Sequence, residues 1–145
     1  MDSIFEWSSS LKEVNISNFN TYNVINMNKM FERCSSLKEI NLSNFNTSNV
    51  TDMSCMFEGC TSLKELNLSN FNIKKVINMN SMFSGCSSLK ELNISNFNTN
   101  NKTDLYWIFS GCPNELKKKF YIPKKYCWFK YFNYLLKFFF VIWLL

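Results

Sequence analysis

One register dominates this chain: the pairs Ile4-Phe5, Met30-Phe31, Met56-Phe57, Met82-Phe83 and Ile108-Phe109 recur every 26 residues. Four full units, 4–29, 30–55, 56–81 and 82–107, follow one another without gap or insertion, and a fifth begins at Ile108. A single unit cannot bury its own apolar face. Stacked copies bury a continuous core, so the repeat points to a stack of like units rather than a globule with one centre.

The apolar period changes partway through each unit. Leu66 and Leu68 alternate with Glu65, Asn67 and Ser69, the pattern of a short strand with one buried face. Val50, Met53, Met56, Phe57 and Cys60 then fall at offsets 0, 3, 6, 7 and 10, on one side of a helix. Strands are expected near 11–17, 37–43, 63–69 and 89–95, and helices near 22–32, 48–58, 74–84 and 100–110. Gly59, Gly85 and Gly111 share one slot, the place for a left-handed residue closing a helix; Arg33 and Trp7 hold it less favourably in the first two units. The Asn-Phe-Asn segments put side-chain amides at the strand-to-helix turn, where they can satisfy backbone groups. The expected core includes Leu66, Leu68, Phe71, Val76, Met79, Met82, Phe83 and Cys86.

The sequence L-K-E-L-N-L-S-N-F-N, followed by V-x-x-M-x-x-M-F-x-G-C, resembles the BspA-like leucine-rich-repeat surface proteins and their 26-residue bacterial surface protein repeat, over residues 4–112. The fold class expected is α/β, a leucine-rich-repeat-like solenoid with one parallel strand and one short helix per repeat. The resemblance implies display on a cell surface, or association with a membrane, and a role in adhesion. Residues 1–112 form the repeat domain, with four full repeats and a partial fifth; 113–145 form a basic, aromatic, hydrophobic tail.

Stacking turns each slot into a column. Glu39, Glu65 and Glu91 continue from Glu13; Asn41, Asn67 and Asn93 continue from Asn15; Ser43, Ser69 and Ser95 continue from Ser17. These columns are the candidate ligand-binding face, with a purely solvated face as the alternative. Their sameness from unit to unit suits a repetitive or multivalent ligand better than a unique epitope. Like charges at one strand spacing repel, and lysines at the strand edge or a bound cation could offset this. No loop of clustered carboxylates favours the cation. Cys34, Cys60, Cys86 and Cys112 form a further column. Cross-repeat disulfides are geometrically conceivable there, but small buried free thiols account for the same periodicity.

Composition removes most chemistry. The chain has no histidine and only three glycines, so imidazole catalysis, histidine metal sites and glycine-rich phosphate loops have nothing to be built from. No base or orienting group can be assigned to Cys55 or Cys127, the cysteines outside the column. Residues 1–107 carry nine basic and ten acidic side chains and 108–145 carry seven lysines against Glu115, so −1 and +6 give the net +5. The repeats thus offer no basic face for nucleic acid. No cofactor or metal is expected.

The N-terminal residues lack the pattern of a secretory signal. Residues 126–145 match a bilayer in length, although Lys130 and Lys137 interrupt them, so membrane contact there is expected to be partial. The reading is a non-enzymatic interaction module whose partner is a protein or other repetitive surface ligand. The alternatives are a membrane-tethered spacer or gene fragment without its own ligand, and an intracellular scaffold.

Overall fold

The computed structural model describes residues 1–98 and 103–120; Cys127 and the segment 126–145 expected to contact a membrane lie outside them. Within this region alternate backbone N–H groups point from one repeat to the next. Met27, Lys29, Phe31 and Arg33 donate to the carbonyls of Asp52, Ser54, Met56 and Glu58, at 2.9, 2.9, 2.9 and 2.6 Å. Met53, Cys55, Phe57 and Gly59 repeat the pattern onto Asn78, Asn80, Met82 and Ser84. Met79, Ser81, Phe83 and Gly85 carry it to Asp104, Tyr106, Ile108 and Ser110. Each donor is satisfied 25 residues further on rather than four residues back, and this binds successive repeats together.

These bonds exclude the helices expected at 22–32, 48–58 and 74–84, and the described part of 100–110 also holds turns. Two backbone features enforce the difference. Met56, Glu58 and Cys60 donate to residues three positions back, Met53, Cys55 and Phe57, so the chain runs as a succession of turns. Residues with positive φ also recur in two slots of every repeat. One holds Trp7, Arg33, Gly59, Gly85 and Gly111, the other Ser3, Lys29, Cys55, Ser81 and Trp107. The second slot contains no glycine in any repeat, so the sequence gives no sign of it. Turns three residues long still bring every third or fourth side chain inward, and Val50, Met53, Met56, Phe57 and Cys60 are all fully buried. An apolar spacing of three to four residues therefore reported the buried face correctly and the hydrogen bonding wrongly.

The left-handed slots give a direct test. Gly85 has φ +73°, and a Cβ there would lie 3.5 Å from the Gly59 backbone, an ordinary contact, so its cost is conformational. Gly85→Ala is expected to lower stability by about 1–2 kcal/mol. Ser81→Gly, at φ 56°, should raise it by up to about 1 kcal/mol. Urea titration of the two variants checks both signs.

On the opposite side of each repeat lies the sheet. Strands β1 (Glu65–Asn67) and β2 (Glu91–Asn93) pair in parallel, Glu65 with Glu91, Leu66 with Leu92 and Asn67 with Asn93. They are shorter than expected because the asparagine that ends each one bends the chain, and the segments 11–17 and 37–43, also expected as strands, form none. Asn67 Oδ1 accepts the Ser69 N–H at 3.0 Å, and Asn15, Asn41 and Asn93 accept from Ser17, Ser43 and Ser95 in the same way. Isolated parallel bridges link Asn26 to Asp52, Asp52 to Asn78 and Asn78 to Asp104. Carboxylates and amides alternate along this column, and the Asn78 amide donates to Asp52 Oδ2 at 3.3 Å. The alternation avoids the repulsion that adjacent carboxylates would bring.

All eight expected core residues are buried, at 4% exposure or less. Phenylalanine rings form a continuous pile between the turns and the sheet: Phe5, Phe31, Phe57, Phe83 and Phe109 stack with centroids 5.3 to 6.0 Å apart. The one helix among the described residues, α1 (Asn114–Lys119), follows Pro113 and buries Leu116, while Phe120 stacks on Phe109 at 5.4 Å.

Candidate functional site

The strand segments set the expected binding face. Because Leu66 and its counterparts turn inward, the glutamates and asparagines on either side of them are exposed, and this applies to Glu39, Asn41, Glu65, Asn67, Glu91 and Asn93. Glu39, Glu65, Asn67, Glu91 and Asn93 line one open groove of about 660 Å³ that crosses three repeats. Asn41 lines a neighbouring groove of about 590 Å³ with Glu13, Asn15 and Glu39. The serine column does not line either groove. Ser43, Ser69 and Ser95 lie past the bend, each giving its N–H to the preceding asparagine.

That bend limits what the asparagines can offer a ligand. Each Oδ1 already accepts one serine N–H, so Asn41, Asn67 and Asn93 offer a ligand an amide NH₂ donor and one remaining acceptor lone pair. The glutamates supply acceptors.

Sequence reasoning missed a third row. Lys38 and Lys64 also line the larger groove. Strict alternation would send them to the opposite face from Glu39 and Glu65, but Lys64 stands just ahead of β1 and Lys38 lies in a segment that forms no strand, so neither is bound by it. The groove is therefore edged by a cationic row and an anionic row that run along the stack. At its C-terminal end Lys119 Nζ lies 3.5 Å from Glu91 Oε1, both side chains being exposed, a pair worth at most about 1 kcal/mol at such a surface.

The second asparagine ladder is structural. Asn44 Nδ2 donates to the carbonyls of Ile16 and Ser17 at 3.1 and 3.0 Å. Asn70 Nδ2 reaches Leu42 and Phe45 at 3.0 and 3.1 Å, and Asn96 Nδ2 reaches Ser69. The other asparagine of each Asn-Phe-Asn segment caps the following turn: Asn20, Asn46 and Asn72 accept from the N–H of Tyr22, Ser48 and Lys74.

The cysteine column is structural in the same sense. Cys34, Cys60, Cys86 and Cys112 are free and buried. Each thiol donates to the phenylalanine carbonyl of the previous repeat, Phe5, Phe31, Phe57 or Phe83, at 3.0 to 3.2 Å. Loss of solvent pushes Cys60 up to about 12 and Cys34 and Cys112 up to about 11, and it raises Cys86 as well. Such thiols are poor nucleophiles and poor metal ligands at neutral pH. Cys55, half-buried, is pushed up to about 12 by burial and then by its hydrogen bond to Glu58. Among the described residues no three histidine, cysteine, aspartate or glutamate side chains come together as metal ligands, and no helix is long and apolar enough to cross a membrane.

No curated protein and no solved structure matches the chain. A family model does match, over residues 1–120, and it takes in both the repeats and the helix that follows them. The chain accordingly belongs to the family described as Mycoplasma protein of unknown function, DUF285.

Proposed function

We propose that the chain is a leucine-rich-repeat-like solenoid of the BspA-like kind, carried at a cell surface or membrane, that works as a non-enzymatic interaction module. Its ligand lies across the sheet face. One observation carries this reading: the groove over three repeats takes a glutamate from each, Glu39, Glu65 and Glu91, with a lysine from two of them, Lys38 and Lys64, and an asparagine from two, Asn67 and Asn93. A surface that offers the same groups at one strand spacing, about 4.8 Å, gains most from a ligand that repeats as well, because each further contact is made at high local concentration.

The test is retention on an array of repetitive polymers, including polylysine, heparin and neutral polysaccharides. The full chain is compared with a Glu39→Ala/Glu65→Ala/Glu91→Ala variant, whose changes are all at exposed positions. At least one polymer should hold the unaltered chain about tenfold more tightly than the variant, the size of effect expected for loss of a few surface contacts repeated along one ligand. If no polymer distinguishes the two, the sheet face is a solvated surface and the reading fails.

A further inference from the structure

The two charged rows of the sheet face are matched in number. In each of the four full repeats a lysine stands immediately ahead of a glutamate, from Lys12-Glu13 to Lys90-Glu91, and all eight residues are exposed. Among the described residues none of these lysines pairs with any of these glutamates, and the one ion pair on either row joins Glu91 to Lys119 at 3.5 Å. The groove over three repeats sets Lys38 and Lys64 against Glu39, Glu65 and Glu91, and Lys119 brings the balance to zero.

Matched rows select against a charged ligand. Neighbouring residues of a strand lie about 3.3 Å apart, well inside the ~8 Å over which salt screens a charge at physiological ionic strength. A polyanion drawn to the lysines is therefore repelled by the glutamates beside them, and a polycation meets the reverse. An uncharged ligand has no such conflict. A hydroxyl can accept from an ammonium, donate to a carboxylate and do either with an asparagine amide, and hydrogen bonds to charged groups are the stronger kind. Each hydroxyl thus suits every row, and a chain carrying several per unit needs no register of charges. Between the glutamates and the asparagines the groove has an apolar floor of Ile40, Leu66 and Leu92, which suits the C–H faces of sugar rings.

We propose, on the basis of the reading of this face as a binding surface, that its ligand is an uncharged, hydroxyl-rich polysaccharide laid along the stack and hydrogen-bonded to the lysine and glutamate rows together.

Retention of the full chain on dextran, mannan and galactan, compared with heparin and polylysine at about 0.05 and about 0.5 M NaCl, tests this. Three variants accompany it: Glu39→Ala/Glu65→Ala/Glu91→Ala, Lys38→Ala/Lys64→Ala, and the control Lys74→Ala/Lys75→Ala, whose lysines line neither groove of the sheet face. All seven substituted positions are exposed, and an unchanged circular dichroism spectrum will show that the variants fold. At least one neutral polysaccharide should hold the unaltered chain, with retention that changes less than about twofold between the two salt concentrations. Both row variants should weaken it about tenfold, and the control should not. The sign of the two effects separates the ligand classes, because on a polyanion loss of the glutamates tightens retention and loss of the lysines weakens it, and on a polycation the reverse holds. Retention by heparin or polylysine alone, or opposite effects of the two row variants, overturns the proposal while leaving the sheet face a binding surface. A neutral polysaccharide whose retention ignores either row overturns it too. If no polymer distinguishes any variant from the unaltered chain, the proposal and the binding face fall together.

Discussion

Raising the pH from about 8 to about 10.5 should remove much of this protein's stability, and the cysteine column should be the main cause. Four buried thiols sit in the stack, and in an unfolded chain each returns to the ordinary value of 9.0. Burial holds Cys34 and Cys112 near 11, Cys60 near 12 and Cys86 well above 9.0. The folded pKa is the higher one, so stability is fully present below pH 9 and is lost as pH rises through the window from 9 to about 11–12. In that window the unfolded chain releases protons that the folded chain keeps. At about pH 10.5 the linkage amounts to roughly 2 kcal/mol for each of Cys34, Cys60 and Cys112, about 6 kcal/mol for the three, and Cys86 acts in the same direction. The whole stability of a domain of this size is of order 10 kcal/mol. The check is the urea midpoint measured at intervals from pH 8 to 10.5, in the presence of a reductant. Cys60→Ala/Cys86→Ala starts from lower stability because it leaves two small cavities and removes two thiol hydrogen bonds, but its midpoint should fall with a markedly shallower slope. Groups common to both proteins drop out of the difference between the two slopes. Equal slopes would mean that the thiols are not the groups responsible.

The sequence carried much of the inward pattern and little of the backbone path. Leu66, Leu68 and the Met-Phe pairs are buried as their spacing requires, because burial depends only on which side chains recur on one side of the chain. The path between them depends on where each N–H finds its carbonyl, and that is decided between repeats. Phe31 N–H goes to Met56 O, a partner 25 residues away that no local window contains. The left-handed slot at Lys29, Cys55 and Ser81 was equally hidden, since nothing in those side chains marks a positive φ. At the candidate site, the glutamate and asparagine columns were legible from the alternation around Leu66. The lysine row was not, because Lys64 precedes the first paired residue of β1 and Lys38 lies in a segment without a strand, so neither follows a strand's alternation. The serines share the period of the columns, yet their backbone N–H groups are committed to the bend.

Phe57→Ala should be the most damaging single truncation of the stack. Its ring is 0% exposed and lies between Phe31 at 5.6 Å and Phe83 at 6.0 Å, with both pairs within 9° of parallel. Removing a buried phenylalanine costs about 3–5 kcal/mol, and two stacked neighbours place this site toward the upper end. Phe5 provides the contrast within the same column. It is only partly buried, and only Phe31 and Phe19 lie beside it, at 5.3 and 6.2 Å. Phe5→Ala should therefore cost about 1–2 kcal/mol, close to the transfer of a half-buried ring. The position of the gap matters as much as its size. Stability in a pile of like units is the sum of their own stabilities and of the contacts between neighbours. A void at Phe57 weakens both interfaces of the third repeat at once and should uncouple the first two repeats from the last two. Urea unfolding of Phe57→Ala should accordingly broaden, and amide exchange should quicken at Met27 and Phe31 before it does at Phe83. A loss below about 1 kcal/mol, or one no larger than that of Phe5→Ala, would show that the ring column is not what couples the repeats.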